Sequence, residues 1–358
     1  MSTDRMHAVW LTGHGDASVL EYREDVPVPQ PGPGEVRVRV RAAAVNNTDI
    51  NLRIGWYSKR SPTAAGADDG GTPSALEDGG WGGAPVAFPL IQGADACGEI
   101  EAVGTGVPAG RIGERVLIDP ILPAAGQGGK AGVRYLGSDC NGTFAEFVCV
   151  PTQNALRIRS TMTDAELATF PCSYLTAENL LTRAGVCDGQ TILVTGASGG
   201  VGSAAVQLAR RRGARVIAVA SAEKAVTLKS LGALEVLARG EDLMKRLGAE
   251  SVDAVIDVVG GPAFTALLGV LKRGGRYAVA GAIGGALVTL DLRTVYLKDL
   301  TLHGCTVPEP GLFARLVGYI EQGEIRAVLA TTFPLRELAA AQQAFLEKSH
   351  VGKIAVLL

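Results

Sequence analysis

The sequence predicts an α/β protein in which a β-rich unit precedes a doubly wound parallel sheet. The first third of the chain contains a strand whose residues alternate between apolar and charged. From Gln190 onward, uniformly apolar strands alternate with helical segments, and a glycine-rich turn follows the first of these strands. The chain has 358 residues, which at roughly 150 residues per domain is enough for about two domains.

The β-rich unit begins with EVRVRVRAAAV, in which Val36, Val38 and Val40 alternate with three arginines. This period of two is typical of a strand with one buried face and one face in water. Short apolar stretches such as RVLIDP and TFAEFVCV follow, separated by Gly, Pro and Asn clusters. The pattern favours an antiparallel barrel or sandwich.

The parallel sheet is predicted from TILVTG, RVIAVA, VDAVIDVV and GRYAVAG, with helical stretches such as VGSAAVQLARRRG between them. Strands that are apolar on both faces are buried beneath helices. Two more helical patterns, GLFARLVGYIEQG and LRELAAAQQAFLEKS, precede the strand-like KIAVLL. We expect this last strand to return to the first domain.

Composition restricts the class of partner. Lys+Arg number 34 and Asp+Glu 36, so the net charge of -2 supplies no basic field for nucleic acid or an anionic membrane. The longest uncharged apolar run, from Tyr277 to Leu290, is shorter than the ~20 residues of a membrane span and is interpreted as core. Asp4 and Arg5 stand where a secreted protein would show an apolar stretch, and the six cysteines form no CxxC pair. We expect a cytoplasmic protein with reduced thiols and a small-molecule partner.

Residues 58–88 form a long insertion rich in Gly, Ala, Pro, Asp and Ser. A loop of this length inside a compact domain is uncommon. Two interpretations stay open: a tolerated surface insertion, or a lid that brings Trp81 near the substrate.

The glycine-rich turn predicts a dinucleotide site. In TILVTGASGGVGSAAVQLA, small residues occupy the three fingerprint positions between a buried strand and a helix. They let the backbone approach a pyrophosphate, whose charge is stabilised by unpaired amides at the helix N-terminus. A tight turn without a ligand is the alternative. The predicted cofactor residues of the turn are Ala197, Ser198, Gly199, Gly200, Val201 and Gly202.

The next strand, RVIAVA, indicates which nicotinamide cofactor is used. A carboxylate near its end would hold the ribose hydroxyls of NAD, yet no acid follows before Glu223. Ser221, Lys224 and Arg239 instead offer a hydroxyl and two cations. Such a pocket suits the 2′-phosphate of NADPH. The alternative is that Ser221 caps a helix and Lys224 is solvated.

Seven segments together resemble one known family. They are AVNNTDINLRIGWY, IQGADACGEIEAVG, LTAENLL, GASGGVG, DVVGG, GGRYAVAG and HVGKIAVLL. They are similar to the medium-chain dehydrogenase/reductase superfamily, and within it to the zinc-free quinone oxidoreductase branch related to zeta-crystallin. The resemblance implies a GroES-like catalytic domain made of residues 1–155 and 307–358, and a Rossmann domain of residues 156–306. It also implies a cofactor in the cleft and a homodimer.

The resemblance also predicts that no metal is bound. In the zinc alcohol dehydrogenases of this superfamily, a cysteine stands at the position of Asn46 and a His-Glu pair at the positions of Ala94 and Asp95. Only Cys172 keeps a metal-binding side chain, and one thiolate cannot supply the three ligands of a catalytic zinc. Cys172 is interpreted as a buried apolar thiol, with a metal at Cys172 as the open alternative.

By resemblance, Asn46 and Tyr57 are assigned to the substrate and nicotinamide, with Tyr57 as donor or proton relay. Asp49 and Arg53 would position the loop that carries them. Two alternatives remain open: Asp49 and Arg53, four residues apart, could form a helical ion pair, and Tyr57 could be a packed core ring.

Five further residues are predicted to frame the cofactor. Val259 and Gly260 follow a buried strand and Gly281 follows the next, so their backbones would line the nicotinamide ribose. Gly352 and Lys353 would close the cleft from the catalytic domain, although Lys353 could simply be solvated.

These residues predict NADPH-dependent transfer of hydride to a quinone or to an alkene conjugated with a carbonyl. Without a Lewis acid, alcohol oxidation is disfavoured, whereas a conjugated acceptor spreads the arriving charge. A biosynthetic carbonyl or imine reductase, an alcohol dehydrogenase-like enzyme and a non-catalytic NADPH-binding protein are the alternatives.

Overall fold

The computed structural model describes residues 4–57, 79–82, 85–124 and 132–358. The chain forms two compact units. The first comprises Met1–Cys172, Ala327–Ser349 and Lys353–Leu358, and the second comprises Ser173–Arg326 and His350–Gly352. Of the insertion predicted at residues 58–88, only 79–82 and 85–88 are described, so the lid interpretation falls largely outside the described residues.

The strands and helices of the described residues are numbered here in chain order. The strands are β1 (Arg5–Leu11), β2 (Leu20–Pro27), β3 (Glu35–Ala44), β4 (Leu90–Ile91), β5 (Asp95–Val103), β6 (Arg115–Ile118), β7 (Ile121–Pro123), β8 (Val133–Tyr135), β9 (Phe147–Pro151), β10 (Ala155–Arg157), β11 (Thr191–Val194), β12 (Arg215–Ala220), β13 (Ala233–Ala238), β14 (Val252–Asp257), β15 (Leu271–Val279), β16 (Thr301–Gly304), β17 (Leu329–Pro334) and β18 (Lys353–Leu357). The helices are α1 (Asn47–Arg53), α2 (Asp164–Leu167), α3 (Pro171–Arg183), α4 (Gly200–Arg211), α5 (Ala225–Leu231), α6 (Leu243–Leu247), α7 (Phe264–Val270), α8 (Leu292–Leu297), α9 (Leu312–Glu321) and α10 (Leu338–Glu347).

The first unit is built around β3. Its valines at 36, 38 and 40 are buried as the alternation predicts, and β3 pairs antiparallel with β5, β9 and β18. The sheet order is β10-β6-β5-β3-β18-β17, and a smaller sheet has the order β2-β1-β4. Because β18 pairs with β3, the end of the chain completes the sheet that the beginning starts, which confirms the predicted return of the last strand.

The second unit contains a six-stranded sheet of order β13-β12-β11-β14-β15-β16, whose pairs are all parallel. The apolar runs of the sequence become its central strands, and β11 is buried at all four positions. The strand order reverses between β11 and β14, where ligands bind in doubly wound sheets. The predicted fold class is therefore confirmed.

One prediction about burial is wrong. The run from Tyr277 to Leu290 was interpreted as core, but only its start lies in buried β15. The later residues Ile283, Leu287 and Val288 are 56%, 70% and 43% exposed, because β15 ends at Val279 and none of the described elements of the unit covers them. No helix among the described residues has the length and apolar character needed to cross a bilayer.

Candidate active site

In the first unit, the site begins where β3 ends and α1 starts. Asn46 occupies the N-cap position of α1 in extended conformation and is 5% exposed. Its backbone N–H donates to Asp49 Oδ2 at 2.7 Å, so the carboxylate supports the first turn of the helix. The structure therefore brings together two of the predicted residues, Asn46 and Asp49.

The side chain of Asn46 is fully hydrogen-bonded inside the protein. Its Nδ2 donates to Asp95 Oδ2 at 2.8 Å and to the Ala44 carbonyl at 3.2 Å, and its Oδ1 accepts from Lys353 Nζ. Both amide hydrogens are thus in use. In this arrangement Asn46 orders the start of α1, whereas the sequence assigned it to the substrate and the nicotinamide.

Lys353 is buried, with 2% of its surface exposed, so the alternative of a solvated lysine is wrong. Its Nζ lies 2.8 Å from Asp95 Oδ2 and 2.8 Å from the Val45 carbonyl. The sequence could not show this contact, because Lys353 and Asp95 lie 258 positions apart.

Cys172 completes the buried cluster. Its backbone N–H donates to Asp95 Oδ1 at 2.6 Å, and its Sγ accepts from the Tyr135 hydroxyl at 2.9 Å. Burial, with the adjacent Asp95 charge, raises the pKa of the Cys172 thiol to about 12, so the group is neutral at physiological pH. The Trp81 ring stacks on Tyr135 with centroids 4.7 Å apart. The sequence analysis did not identify Tyr135, because a single tyrosine in a loop-rich segment belongs to no motif or periodic pattern that would indicate a role.

Arg53 is connected to the Asp49 carbonyl through the side-chain amides of two glutamines. Its Nε donates to Gln342 Oε1 at 2.8 Å, Gln342 donates to Gln92, and Gln92 Nε2 donates to the Asp49 carbonyl at 2.8 Å. Arg53 Nη1 also donates to the Gly15 carbonyl at 2.8 Å. These bonds tie α1 to α10, and Arg53 is directed to these partners instead of forming the alternative ion pair with Asp49.

Tyr57 lies just after α1 and is half-buried. Its hydroxyl accepts from Asn51 Nδ2 at 3.4 Å. Burial raises the pKa of Tyr57 to about 12. The hydroxyl therefore keeps its proton through the neutral range and can donate a hydrogen bond.

The residues of this cluster do not fit a catalytic zinc. The positions available to ligands hold an amide that is already bonded, an alanine and a neutral thiol, and the Asp95 carboxylate beside them is paired with the ammonium of Lys353. Among the described residues, no group of three or more His, Cys, Asp and Glu side chains is arranged to hold a metal ion. A catalytic zinc needs three protein ligands.

In the second unit, the glycine-rich turn joins β11 to α4. A Cβ at Gly202 would lie 2.2 Å from the Gly196 carbonyl oxygen, so close packing of turn and helix requires glycine there. A Cβ at Gly199 would meet only the same oxygen at 3.5 Å. The space beside Gly199 is thus open to a ligand at the N-terminus of α4, and the turn fits a dinucleotide pyrophosphate. The Gly352 N–H donates to the Ser198 carbonyl at 2.8 Å.

The three residues predicted to select the cofactor lie at neighbouring strand ends. Ser221 and Lys224 follow β12, and Arg239 follows β13, whose Ala238 pairs with Ala220. Lys224 is 3% exposed, so the alternative of a solvated lysine is wrong. The exposed Glu223 carboxylate accepts from the Ser221 hydroxyl, which lowers the pKa of Glu223, and Lys224 and Arg239 act on it in the same direction.

Asp257 shapes the end of β14. Its carboxylate is fully buried and accepts from the backbone N–H groups of Val259 at 2.8 Å and Gly260 at 3.1 Å. The hydroxyls of Thr195 and Tyr277 also donate to it. At Gly281 a Cβ would lie 2.8 Å from the Val258 carbonyl oxygen, so the two strand ends approach closely. Sequence reasoning missed Thr195 and Tyr277 as partners of this carboxylate.

Comparison with protein families matches both parts of the chain. Residues 32–160 match the alcohol dehydrogenase GroES-like domain, and residues 200–322 match the family described as zinc-binding dehydrogenase.

One curated relative is named as a reductase and another as an oxidoreductase. The chain is 31% identical to an acryloyl-coenzyme A reductase of Metallosphaera sedula, over 75% of this chain and 83% of the relative. It is 27% identical to the human quinone oxidoreductase, over 99% of this chain and 98% of the relative.

Solved structures show the same fold. A protein from Sinorhizobium meliloti, provisionally described as an alcohol dehydrogenase, is 45% identical with a TM-score of 0.89, covering 100% of this chain and 97% of that one. A mycobacterial protein complexed with NADPH is 28% identical with a TM-score of 0.77, covering 99% and 100%.

Proposed function

Because the chain belongs to the medium-chain dehydrogenase/reductase superfamily and is an oxidoreductase of that type, we propose that it is a reductase dependent on NADPH but not on zinc. Its acceptor is a quinone or an alkene conjugated with a carbonyl group. Residues 1–155 and 307–358 form the catalytic domain of this proposal, and residues 156–306 form the cofactor domain.

The observation that carries the proposal is the donor set around Asn46. A bound Lewis acid is a strong means of lowering the pKa of an alcohol, and an amide, an alanine, a neutral thiol and a carboxylate paired with an ammonium do not hold one. A conjugated acceptor takes hydride without that help, because its carbonyl spreads the charge. The names of two relatives, acryloyl-coenzyme A reductase and quinone oxidoreductase, denote acceptors of this class.

In this proposal the bound NADPH supplies the hydride. Tyr57 donates a hydrogen bond to the substrate oxygen on which negative charge develops, as its raised pKa allows. Asn46, Asp49 and Arg53 hold α1 in place through their buried hydrogen bonds. Backbone amides at the start of α4 bind the pyrophosphate. The amides of Val259 and Gly260, fixed by Asp257, together with Gly281 and Gly352, frame the nicotinamide ribose.

The experiment that tests the reaction follows NADPH oxidation with a panel of quinones, enones, aldehydes, imines and primary alcohols. We expect quinones or enones to be reduced by metal-free enzyme, and the alcohols to be inert with NADP. Turnover confined to aldehydes or imines would indicate a carbonyl or imine reductase. The absence of turnover with all acceptors, despite NADPH binding, would indicate a binding protein.

The preference for NADPH has a separate test. Ser221 and Lys224 follow β12 and Arg239 follows the neighbouring β13, and cations at these strand ends support the proposal because a charge-assisted bond to a 2′-phosphate would favour the phosphorylated cofactor. We expect Arg239→Ala to weaken NADPH binding about tenfold (about 1.4 kcal/mol) and to leave NADH binding unchanged, as measured by fluorescence titration. Lys245→Ala, which removes an exposed charge on α6, is the matched control. Tighter binding of NADH than of NADPH by the unmodified protein would contradict the preference.

We also propose a homodimer formed through the second unit. Strand β16 is at the edge of its sheet, and the segment from Ile283 to Leu302 that leads into it carries exposed apolar residues. An edge strand and exposed apolar residues are typical of an interface. A second copy would cover both.

A further inference from the structure

We propose that the ammonium group of Lys353 is the resident cation of the buried cluster formed by Asn46, Asp95 and Cys172, and that it keeps divalent metal ions out of this cluster. Lys353 is then a positioning residue of the metal-free reaction, on which this inference rests.

The geometry shows an ammonium that is completely coordinated. Lys353 Nζ donates to the Asp95 carboxylate at 2.8 Å, to the Val45 carbonyl at 2.8 Å and to Asn46 Oδ1. An ammonium has three hydrogens to donate, and each has an acceptor here. Lys353 is 2% exposed and Asp95 is 0% exposed, so water does not compete for these bonds.

Other acceptor atoms of the cluster are also engaged. Asp95 Oδ1 accepts from the Cys172 backbone, Asp95 Oδ2 accepts from Asn46 Nδ2, and Cys172 Sγ accepts from the Tyr135 hydroxyl. Among the residues that the structure describes, Lys353 is the cation within hydrogen-bonding distance of Asp95. A metal ion would therefore have to displace the ammonium and remove the thiol proton of Cys172.

Removal of the ammonium would leave a latent metal site. Asp95, Cys172 and the Asn46 side-chain carbonyl oxygen would then offer a carboxylate, a thiol and an amide within one buried cluster. Oxygen and sulfur ligands of this kind bind first-row divalent ions, and cobalt bound to a thiolate gives an intense near-ultraviolet absorption.

The test is a titration of the full-length protein with cobalt(II), read by the thiolate-to-cobalt absorption and by metal content after dialysis. We expect the wild-type protein and Lys353→Arg, which keeps a cation, to show no such band. Lys353→Ala should bind one equivalent at least tenfold more tightly than the wild-type protein. The band should disappear in Lys353→Ala/Cys172→Ser.

Several outcomes would overturn the inference: a thiolate band at one equivalent in the wild-type protein, an unchanged affinity in folded Lys353→Ala, or equal binding by Lys353→Arg and Lys353→Ala. Lys353→Ala leaves the Asp95 carboxylate buried without its partner, so it can fail to fold. The wild-type and Lys353→Arg titrations then decide, since a thiolate band in either contradicts the proposal and its absence in both supports it. Failure of the proposed reaction is seen separately, as the absence of NADPH oxidation by the wild-type protein.

Discussion

At the scale of single residues, Asp49 shows how burial sets a charge. Its carboxyl group is 3% exposed, and burial raises its pKa from 3.8 to about 7 even though backbone N–H groups and Lys353 favour the ionised form. The folded protein therefore holds a proton on Asp49 that the unfolded chain releases between pH 4 and 7. The free energy of unfolding is therefore higher below pH 4, where Asp49 is protonated in both states. It falls as the pH rises to 7, because the folded protein must then bury the charged carboxylate.

We predict that Asp49→Asn stabilises the protein above pH 7. A shift of about three pKa units corresponds to about 4 kcal/mol, and the weaker acceptor for the Asn46 N–H offsets part of it, so a gain of about 2 kcal/mol at pH 8 is expected. Urea unfolding at pH 4, 6 and 8 measures the effect. Asp188→Asn, which removes an exposed carboxylate, is the control. Equal losses of stability by Asp49→Asn at pH 4 and pH 8 would refute this account.

Single residues also mark the limit of what the sequence could predict about the site. Asn46 and Asp49 are three positions apart, so their contact at a helix start is readable from local pattern. Lys353 and Asp95 lie in distant segments, and only the pairing of β18 with β3 and of β3 with β5 brings them together. The sequence placed Lys353 near the cofactor or in solvent. Its role in the buried cluster depends on sheet register, which the alternation within one strand does not specify.

At the scale of elements, the two glycines of the turn between β11 and α4 have different physical roles. Gly202 is required for packing, whereas Gly199 leaves room for a ligand. Gly202 approaches the Gly196 carbonyl so closely that any side chain would clash, whereas the backbone φ of -75° at Gly199 suits any residue. The fingerprint alone treats these positions alike.

We predict opposite outcomes for the two alanine variants of this turn. Gly199→Ala should lower the unfolding free energy by no more than about 1 kcal/mol, because its Cβ has room and alanine is only a weaker N-cap than glycine, but it should weaken NADPH binding at least tenfold. Gly202→Ala should lower the unfolding free energy by about 2 kcal/mol through overpacking. Urea unfolding and fluorescence titration measure the two effects. Unchanged NADPH affinity in Gly199→Ala would show that the turn does not hold the cofactor.

The elements themselves were largely predictable. Uniformly apolar runs give β11, β12 and β14, and helical periodicity gives α9 and α10, because local pattern and burial agree there. The segment after β15 could not be predicted in this way, because its residues are apolar but exposed. Hydropathy shows that a residue is apolar, but it does not show which surface would bury it.

At the scale of the whole molecule, that uncovered segment is the basis of the proposed dimer. Leu292 and Tyr296, one turn apart on α8, are 68% and 62% exposed, and α8 precedes the edge strand β16. In an isologous dimer each such residue is buried twice, once in each copy. A charge introduced there is therefore desolvated twice in the interface, whereas in the monomer it stays in water.

We predict that Leu292→Asp/Tyr296→Asp converts the dimer to a monomer without unfolding it. Two like charges repeated across a two-fold axis should raise the dimer dissociation constant at least 100-fold (about 2.7 kcal/mol). Sedimentation velocity measures the state, and circular dichroism checks the fold. Val226→Asp/Leu234→Asp places the same charges on residues that are 82% and 66% exposed elsewhere in the second unit, and it should stay dimeric. A wild-type protein that sediments as a monomer at micromolar concentration, or a control that dissociates equally, would rule out this surface as the interface.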